Sequence, residues 1–219
     1  MLGAVKTLFV RIATDAALRF DIPIFVGFLG DNVSMAVEFE TNFAKLWPFG
    51  NLKVAQLILS FVIYVVLFFP QYTYAGTGFV NFISLNALLY SVVSMLCHLL
   101  GIQRRTFQVG SNFVFIPFTM IDFIAAILFL FGYGISSLIC ILSALDGLRY
   151  AGNMFVVYLI LSLLCLGAGA AFGYYAILIY RNCPNGRIAN LTGMVTEGDK
   201  LVSSALQTNN SADTTTPPV

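Results

Sequence analysis

Charge is what this sequence has least of. Of its 219 residues, 11 are Lys or Arg and 10 are Asp or Glu, so 10% are charged, against about 25% in an average soluble domain. That is too little to cover the surface of a water-soluble domain of this size. The net charge of +1 removes the electrostatic basis for binding nucleic acid. The single His98 and four cysteines (Cys97, Cys140, Cys165, Cys183) show no CxxC and no metal-ligand spacing. No Ser-His-Asp set and no Gly-rich phosphate loop emerges, so neither an enzyme nor a cofactor is expected. What is abundant is apolar: 59% hydrophobic residues, 21 Phe among them, and a mean hydropathy of +0.89. Disorder is excluded for most of the chain, and an integral membrane protein is the class that remains.

The missing charges also locate the membrane. Residues 54–103 carry no Asp, Glu, Lys or Arg; between Arg105 and Asp146 the only charge is Asp122; between Arg149 and Arg181 there is none. A bilayer core of about 30 Å takes roughly 20 helical residues. The first run must therefore hold two spans, broken at 70–78, where Pro70, Gly76 and Gly78 interrupt the helix and Tyr72 and Tyr74 sit at interface level. Helices are expected at about 52–69, 79–101, 112–135 and 153–180. The third has two readings. Gly132-Tyr133-Gly134 either ends it, leaving 135–145 as an interfacial piece, or lies within one tilted helix that projects from the bilayer. Stretches such as Ile124–Phe131 and Val156–Leu161 are apolar without alternation, which excludes barrel strands. The fold class is all-α, a transmembrane four-helix bundle.

Basic residues set the orientation. Lys6, Arg11, Arg19, Lys45 and Lys53 precede or open the first helix, Arg104 and Arg105 join the second to the third, and Arg181, Arg187 and Lys200 follow the fourth. Only Arg149 falls on the other side, so the positive-inside rule predicts that both termini are cytoplasmic. The sequons at Asn32, Asn190 and Asn209 are then chance matches. Residues 1–50 read as a cytoplasmic segment. Within it Leu2, Val5, Leu8, Phe9, Ile12, Ala16 and Phe20 share one helical face opposite Lys6 and Arg11. This amphipathic helix either lies on the inner leaflet, with Lys6, Arg11 and Arg19 near anionic headgroups, or packs against the base of the bundle. Residues 183–219, rich in Asn, Ser, Thr and Gly, read as a disordered cytoplasmic tail.

Few residues invite a chemical role. Asp122 lies about 15 Å along the expected third helix and is the sole charge in any expected span. An acid there marks a proton or cation path, or an internal hydrogen-bonded packing residue. Antiparallel counting sets it level with Tyr90 and Ser91 rather than His98, which favours packing. Gly167, Gly169 and Gly173 form a small-residue stripe on the fourth helix, which either seats that helix within the bundle or mates two copies; internal packing is favoured. Cys183, just after Tyr180-Arg181-Asn182, suits S-palmitoylation. Arg104 and Arg105 join Lys6, Arg11 and Arg19 as membrane-surface bases.

The order of segments resembles the MARVEL domain family of vesicle and junction proteins. The resemblance covers about residues 50–182 and rests on Leu52-Lys53-Val54-Ala55-Gln56-Leu57-Ile58-Leu59-Ser60, the polar-dotted Phe79–Leu100, the acid-bearing Ile121–Phe129, and Ala170-Ala171-Phe172-Gly173-Tyr174-Tyr175. The first 50 residues lie outside the common pattern, and the Trp that often follows the acid is missing, with Phe129 in that region. Membership would imply roles in membrane apposition, cholesterol-rich domain organisation, vesicle trafficking or cell junctions at the plasma or a vesicle membrane. Partners would be membrane lipids, cholesterol among them, further copies of the chain, or a larger membrane protein. The competing class is a small channel or transporter, or its auxiliary subunit, for which Asp122 and the polar face of the second helix speak.

Overall fold

The computed structural model describes residues 43–70, 74–104, 106–109, 112–150 and 152–203. Four helices dominate: α1 (Phe49–Val66), α2 (Thr77–Leu99), α3 (Phe118–Tyr150) and α4 (Gly152–Arg181). Each is long and apolar enough to cross a membrane, so the chain is an all-α, four-helix membrane protein. Two short antiparallel hairpins flank this bundle: β1 (Thr106–Val109) with β2 (Asn112–Phe115), and β3 (Met194–Glu197) with β4 (Lys200–Ser203). The expected amphipathic helix, with Lys6, Arg11 and Arg19, lies outside the described residues.

Local chemistry sets the helix ends. Gly76 holds φ at 92°, a left-handed conformation that glycine takes without strain, and its carbonyl accepts the first bond of α2 from Phe79 N. The third helix corrects its expected start: residues 112–115 are strand, and α3 begins only at Phe118. Pro117 disfavours helical backbone at Ile116, so the strand continues up to it. The Pro117 carbonyl then accepts from Met120 N and Ile121 N. At its other end α3 runs straight through Gly132-Tyr133-Gly134 to Tyr150, and residue 151 alone separates it from α4. The two glycines do not break it. A Cβ on Gly132 would lie 3.1 Å from Ile83 Cδ1, so the missing side chain is what admits α2. With 33 and 30 residues, α3 and α4 are about 50 and 45 Å long, more than a bilayer core requires.

The bundle is apolar outside and mixed inside. Phe61, Phe82, Leu89, Leu128, Phe131, Leu138, Leu142 and Leu163 are exposed. Ser60, Ser84, Ser91, Ser136, Ser137, Ser143 and Ser162 are buried alongside Tyr133, Tyr158, Phe172 and Tyr175. Small hydroxyl residues allow close helix approach where lipid offers no hydrophobic drive to association. Ser137 and Ser162 bond α3 to α4 at 3.0 Å, and Tyr133 donates to Ser60 on α1 at 3.0 Å.

The segment after α4 corrects the expected disordered tail. Residues 183–203 fold into two 3-10 turns (Pro184–Gly186 and Ile188–Gly193) and the β3–β4 hairpin, with Leu191, Met194, Val195 and Thr196 buried. These apolar positions supply a face to bury that the segment's average composition conceals. Residues 204–219 of that tail lie outside the described part.

Candidate functional site

Alternating helix directions bring the starts of α1 and α3 to the same end as the finishes of α2 and α4. Lys53 and Asp122 are each the fifth residue of their helix, about 6 Å from its start. Lys53 Nζ lies 2.9 Å from Asp122 Oδ1, and the two residues are 1% and 4% exposed. Asp122 is therefore not the lone charge of the spans. Lys53, counted among the basic residues that precede or open the first helix, is its buried counter-ion.

All the other helices contribute to this carboxylate. From α2, Tyr90 Oη donates to Asp122 Oδ1, and Ser94 Oγ donates to the same oxygen at 3.0 Å while accepting from Lys53 Nζ at 2.8 Å. From α4, Tyr175 Oη donates to Oδ2 at 3.1 Å. Lys53 Nζ also lies 4.7 Å from the centre of the Tyr175 ring and 5.3 Å from that of Tyr90, close enough for cation–π attraction. A carboxylate offers about two acceptor sites on each oxygen; here one ammonium and two hydroxyls crowd Oδ1, and one hydroxyl reaches Oδ2. Such satisfaction is what lets a desolvated ion pair persist, because Coulomb attraction alone does not offset removal from water.

His98 completes the cluster. Its Nδ1 lies 2.7 Å from the Ser94 carbonyl, which can only accept, so Nδ1 carries the proton. Nε2 sits 3.6 Å from Asp122 Oδ2 without a hydrogen bond, and the Phe43 ring packs against the imidazole at 4.5 Å between centroids. The expected level of Asp122 is thus corrected. Tyr90 does reach it, but Ser94 and His98 replace Ser91, whose buried hydroxyl has no partner among the described residues. The later start of α3 accounts for the shift.

The β3–β4 hairpin closes this end. Gln103 Nε2 donates to the Thr196 carbonyl at 2.7 Å, and Thr119 Oγ1 donates to the Met194 carbonyl at 2.8 Å. Helix α1 has no side-chain cap; its first amides, Phe49 N and Gly50 N, donate to the Gly198 carbonyl at 3.0 and 3.2 Å. The hairpin turn thereby satisfies two of the amides that every helix start leaves open. Gly198 makes this approach because it has no side chain: a Cβ there would lie 2.7 Å from Leu46 Cβ and 3.0 Å from the Phe43 carbonyl.

The remaining expected residues separate clearly. Gly169 faces Tyr133 and Leu130, and Gly173 faces Leu130, where a Cβ would meet Cδ1 at 3.1 Å; both seat α4 on α3 within the bundle. Gly167 is exposed with nothing near it and takes no part in that packing. Cys183 is 7% exposed, and its thiol donates to the Arg187 carbonyl at 3.0 Å. Burial also pushes its pKa up, which lowers its nucleophilicity. Arg104 ends the short turn Ile102–Arg104, and Arg105 lies outside the described residues. Among the described residues no group of three or more His, Cys, Asp or Glu could hold a metal ion. Comparison with family models, curated proteins and solved structures finds no match for the chain.

Sequence reasoning missed Lys53 and Gln103 because a basic or polar residue at a span's edge ordinarily snorkels to water. The available signal was spacing. Phe49, Lys53, Gln56, Leu57 and Ser60 share one face of α1, and all are buried.

Proposed function

We propose that this chain is a non-enzymatic four-pass membrane protein that works through its lateral surface, organising membrane domains, vesicle trafficking or cell junctions by contacts with lipid and protein. In this reading both termini and the Lys53–Asp122 end are cytoplasmic, in keeping with the positions of ten of the 11 basic residues. The observation that carries it is the closure of the Asp122 site. The carboxylate is taken up by Lys53, Tyr90, Ser94 and Tyr175, and the hairpin covers that end. A transport acid must be reachable by the ion it moves, and this one is bonded on both oxygens from within. The large apolar side chains point outward, where lipid tails, cholesterol, a larger membrane protein or further copies would meet them. The MARVEL-like order of segments supports the same role, at the plasma or a vesicle membrane.

The second reading, a small channel or transporter or its auxiliary subunit, is favoured by the inward polar face of α2, where Ser84, Ser91 and His98 Nε2 are buried without a hydrogen-bond partner among the described residues. Ion flux from proteoliposomes separates the two. The scaffold reading expects flux equal to that of protein-free vesicles. Flux carried by the wild type and lost in Asp122→Asn overturns it.

A further inference from the structure

We propose that α2 is the contact face for a second copy of this chain, with Asn86 as the residue that sets the register. This deepens the scaffold reading and rests on it. Asn86 lies nine residues into the 23-residue α2, about 13 Å from the start and hence near the bilayer midplane. It is exposed, and its position faces away from the bundle. Its Nδ2 donates to the Phe82 carbonyl of its own helix at 2.7 Å, and its Oδ1 has no partner among the described residues.

An acceptor and a spare N–H facing hydrocarbon are costly to leave unmet, and amides in such positions bond across helices. The surroundings suit a helix partner. Phe82, Asn86, Leu89, Val93 and Leu96 follow one another at spacings of four, three, four and three, one continuous stripe of α2. The four apolar members are 62%, 57%, 58% and 41% exposed. Val80, Ser84, Ala87, Ser91 and His98 occupy the opposite face, buried in the bundle. Of the four spans α2 has the smallest share buried within the protein, 28% of its most apolar window.

The occupant follows from the chemistry of the amide. A carboxamide carries both a donor and an acceptor, so it is complementary to itself, and two Asn86 side chains related by a two-fold axis satisfy each other. Lipid tails offer neither group. A lone polar residue in an apolar seam also fixes one register of helix pairing over the alternatives.

The test is the association of full-length protein reconstituted in phosphatidylcholine vesicles, read by energy transfer between labelled copies over a series of protein-to-lipid ratios. Wild type is expected to dimerise. Asn86→Leu is expected to weaken dimerisation on the order of 10-fold with helix content and thermal midpoint unchanged, Asn86→Gln to retain it, and Leu163→Ala on the outer face of α4 to leave it intact. A monomeric wild type, or a dimer indifferent to Asn86→Leu, overturns the proposal. So does a wild type that is monomeric alone but captures a different protein through Asn86. Flux measured in the same vesicles is a separate readout: a monomer without flux removes the self-contact and leaves the scaffold reading standing, whereas Asp122-dependent flux removes the scaffold reading.

Discussion

At one end of the bundle Thr77 donates to the Tyr74 carbonyl at 2.8 Å, its hydroxyl lies 3.4 Å from Tyr158 Oη, and the Tyr74 and Tyr158 rings meet edge to face. At the other end an ammonium and a carboxylate sit 2.9 Å apart, bonded from all four helices and covered by a hairpin from the C-terminal segment. Both ends join the same helices, yet only the second needs a cover. Bonds between neutral hydroxyls contribute about 1 kcal/mol each. A desolvated ion pair does not tolerate the loss of a partner, because the charge left behind is uncompensated. The difference predicts that stability is concentrated at the charged end.

The sharpest way to break this comparison is to remove one charge. Lys53→Met leaves Asp122 buried without its cation and is expected to cost about 3–5 kcal/mol, read as a lowered unfolding midpoint in detergent. Lys53→Met with Asp122→Leu is expected to recover most of that loss, since an apolar pair of similar volume has no uncompensated charge. A double variant no more stable than the single one would show that the pair is not what fails. Next in size is the cover itself. Gly198→Val places Cβ against Leu46 and the Phe43 carbonyl and moves the hairpin off the α1 amides. A loss of about 1–3 kcal/mol is expected, together with protease cleavage between residues 194 and 203. Cleavage unchanged from wild type would mean that the hairpin stays docked without the close approach of Gly198.

The contrast between the ends was only partly legible in the sequence. The four spans were legible because hydropathy is a one-dimensional property, and charge-free runs of sufficient length have few other uses. Pairing is three-dimensional. Lys53 stands at the edge of its run, where a lysine ordinarily reaches water, and only the docking of α3 and the hairpin shows that water is excluded there. Gly169 and Gly173 were readable as a close-packing pair, and their contacts with Tyr133 and Leu130 select seating in the bundle over mating of two copies. The hairpins had visible signals that broader averages concealed. Thr106-Phe107-Gln108-Val109 and Asn112-Phe113-Val114-Phe115 flank Gly110-Ser111, and Met194-Val195-Thr196-Glu197 and Lys200-Leu201-Val202-Ser203 flank Gly198-Asp199. Two extended runs around a two-residue turn with Gly mark a hairpin. Apolar continuity absorbed the second strand of the first hairpin into a helix, and tail composition absorbed the second hairpin into disorder.

Folding of that segment also changes what Cys183 can do. With its thiol buried and bonded to the Arg187 carbonyl, peptide-resolved maleimide labelling of the native protein is expected to leave Cys183 unmodified and to modify it fully after denaturation. Acyl exchange on protein from cell membranes is expected to find no thioester at this site. Native labelling as fast as that of a free thiol would place the segment after α4 off the bundle.

The smallest expected effect is the most direct comparison, because one chemical change can be made at both ends. Tyr175→Phe and Tyr158→Phe each delete one phenolic oxygen and keep the ring. At position 175 the deleted hydroxyl leaves Asp122 Oδ2 without its donor, and a bond to a charged group is worth about 1.5–3 kcal/mol. At position 158 the hydroxyl lies 3.4 Å from a neutral one, that of Thr77, and a bond between neutral groups is worth about 1 kcal/mol. Both rings are buried, at 0% and 1% exposure, so the apolar terms nearly cancel between the two variants. The difference between their unfolding midpoints therefore reports the charge at one end against the neutral hydroxyls at the other. Equal losses would mean that Lys53, Tyr90 and Ser94 hold the carboxylate and that the Tyr175 hydroxyl is incidental. A larger loss at Tyr175 makes α4 part of the ion-pair site and explains why the segment directly following α4 is the one that folds back to cover it.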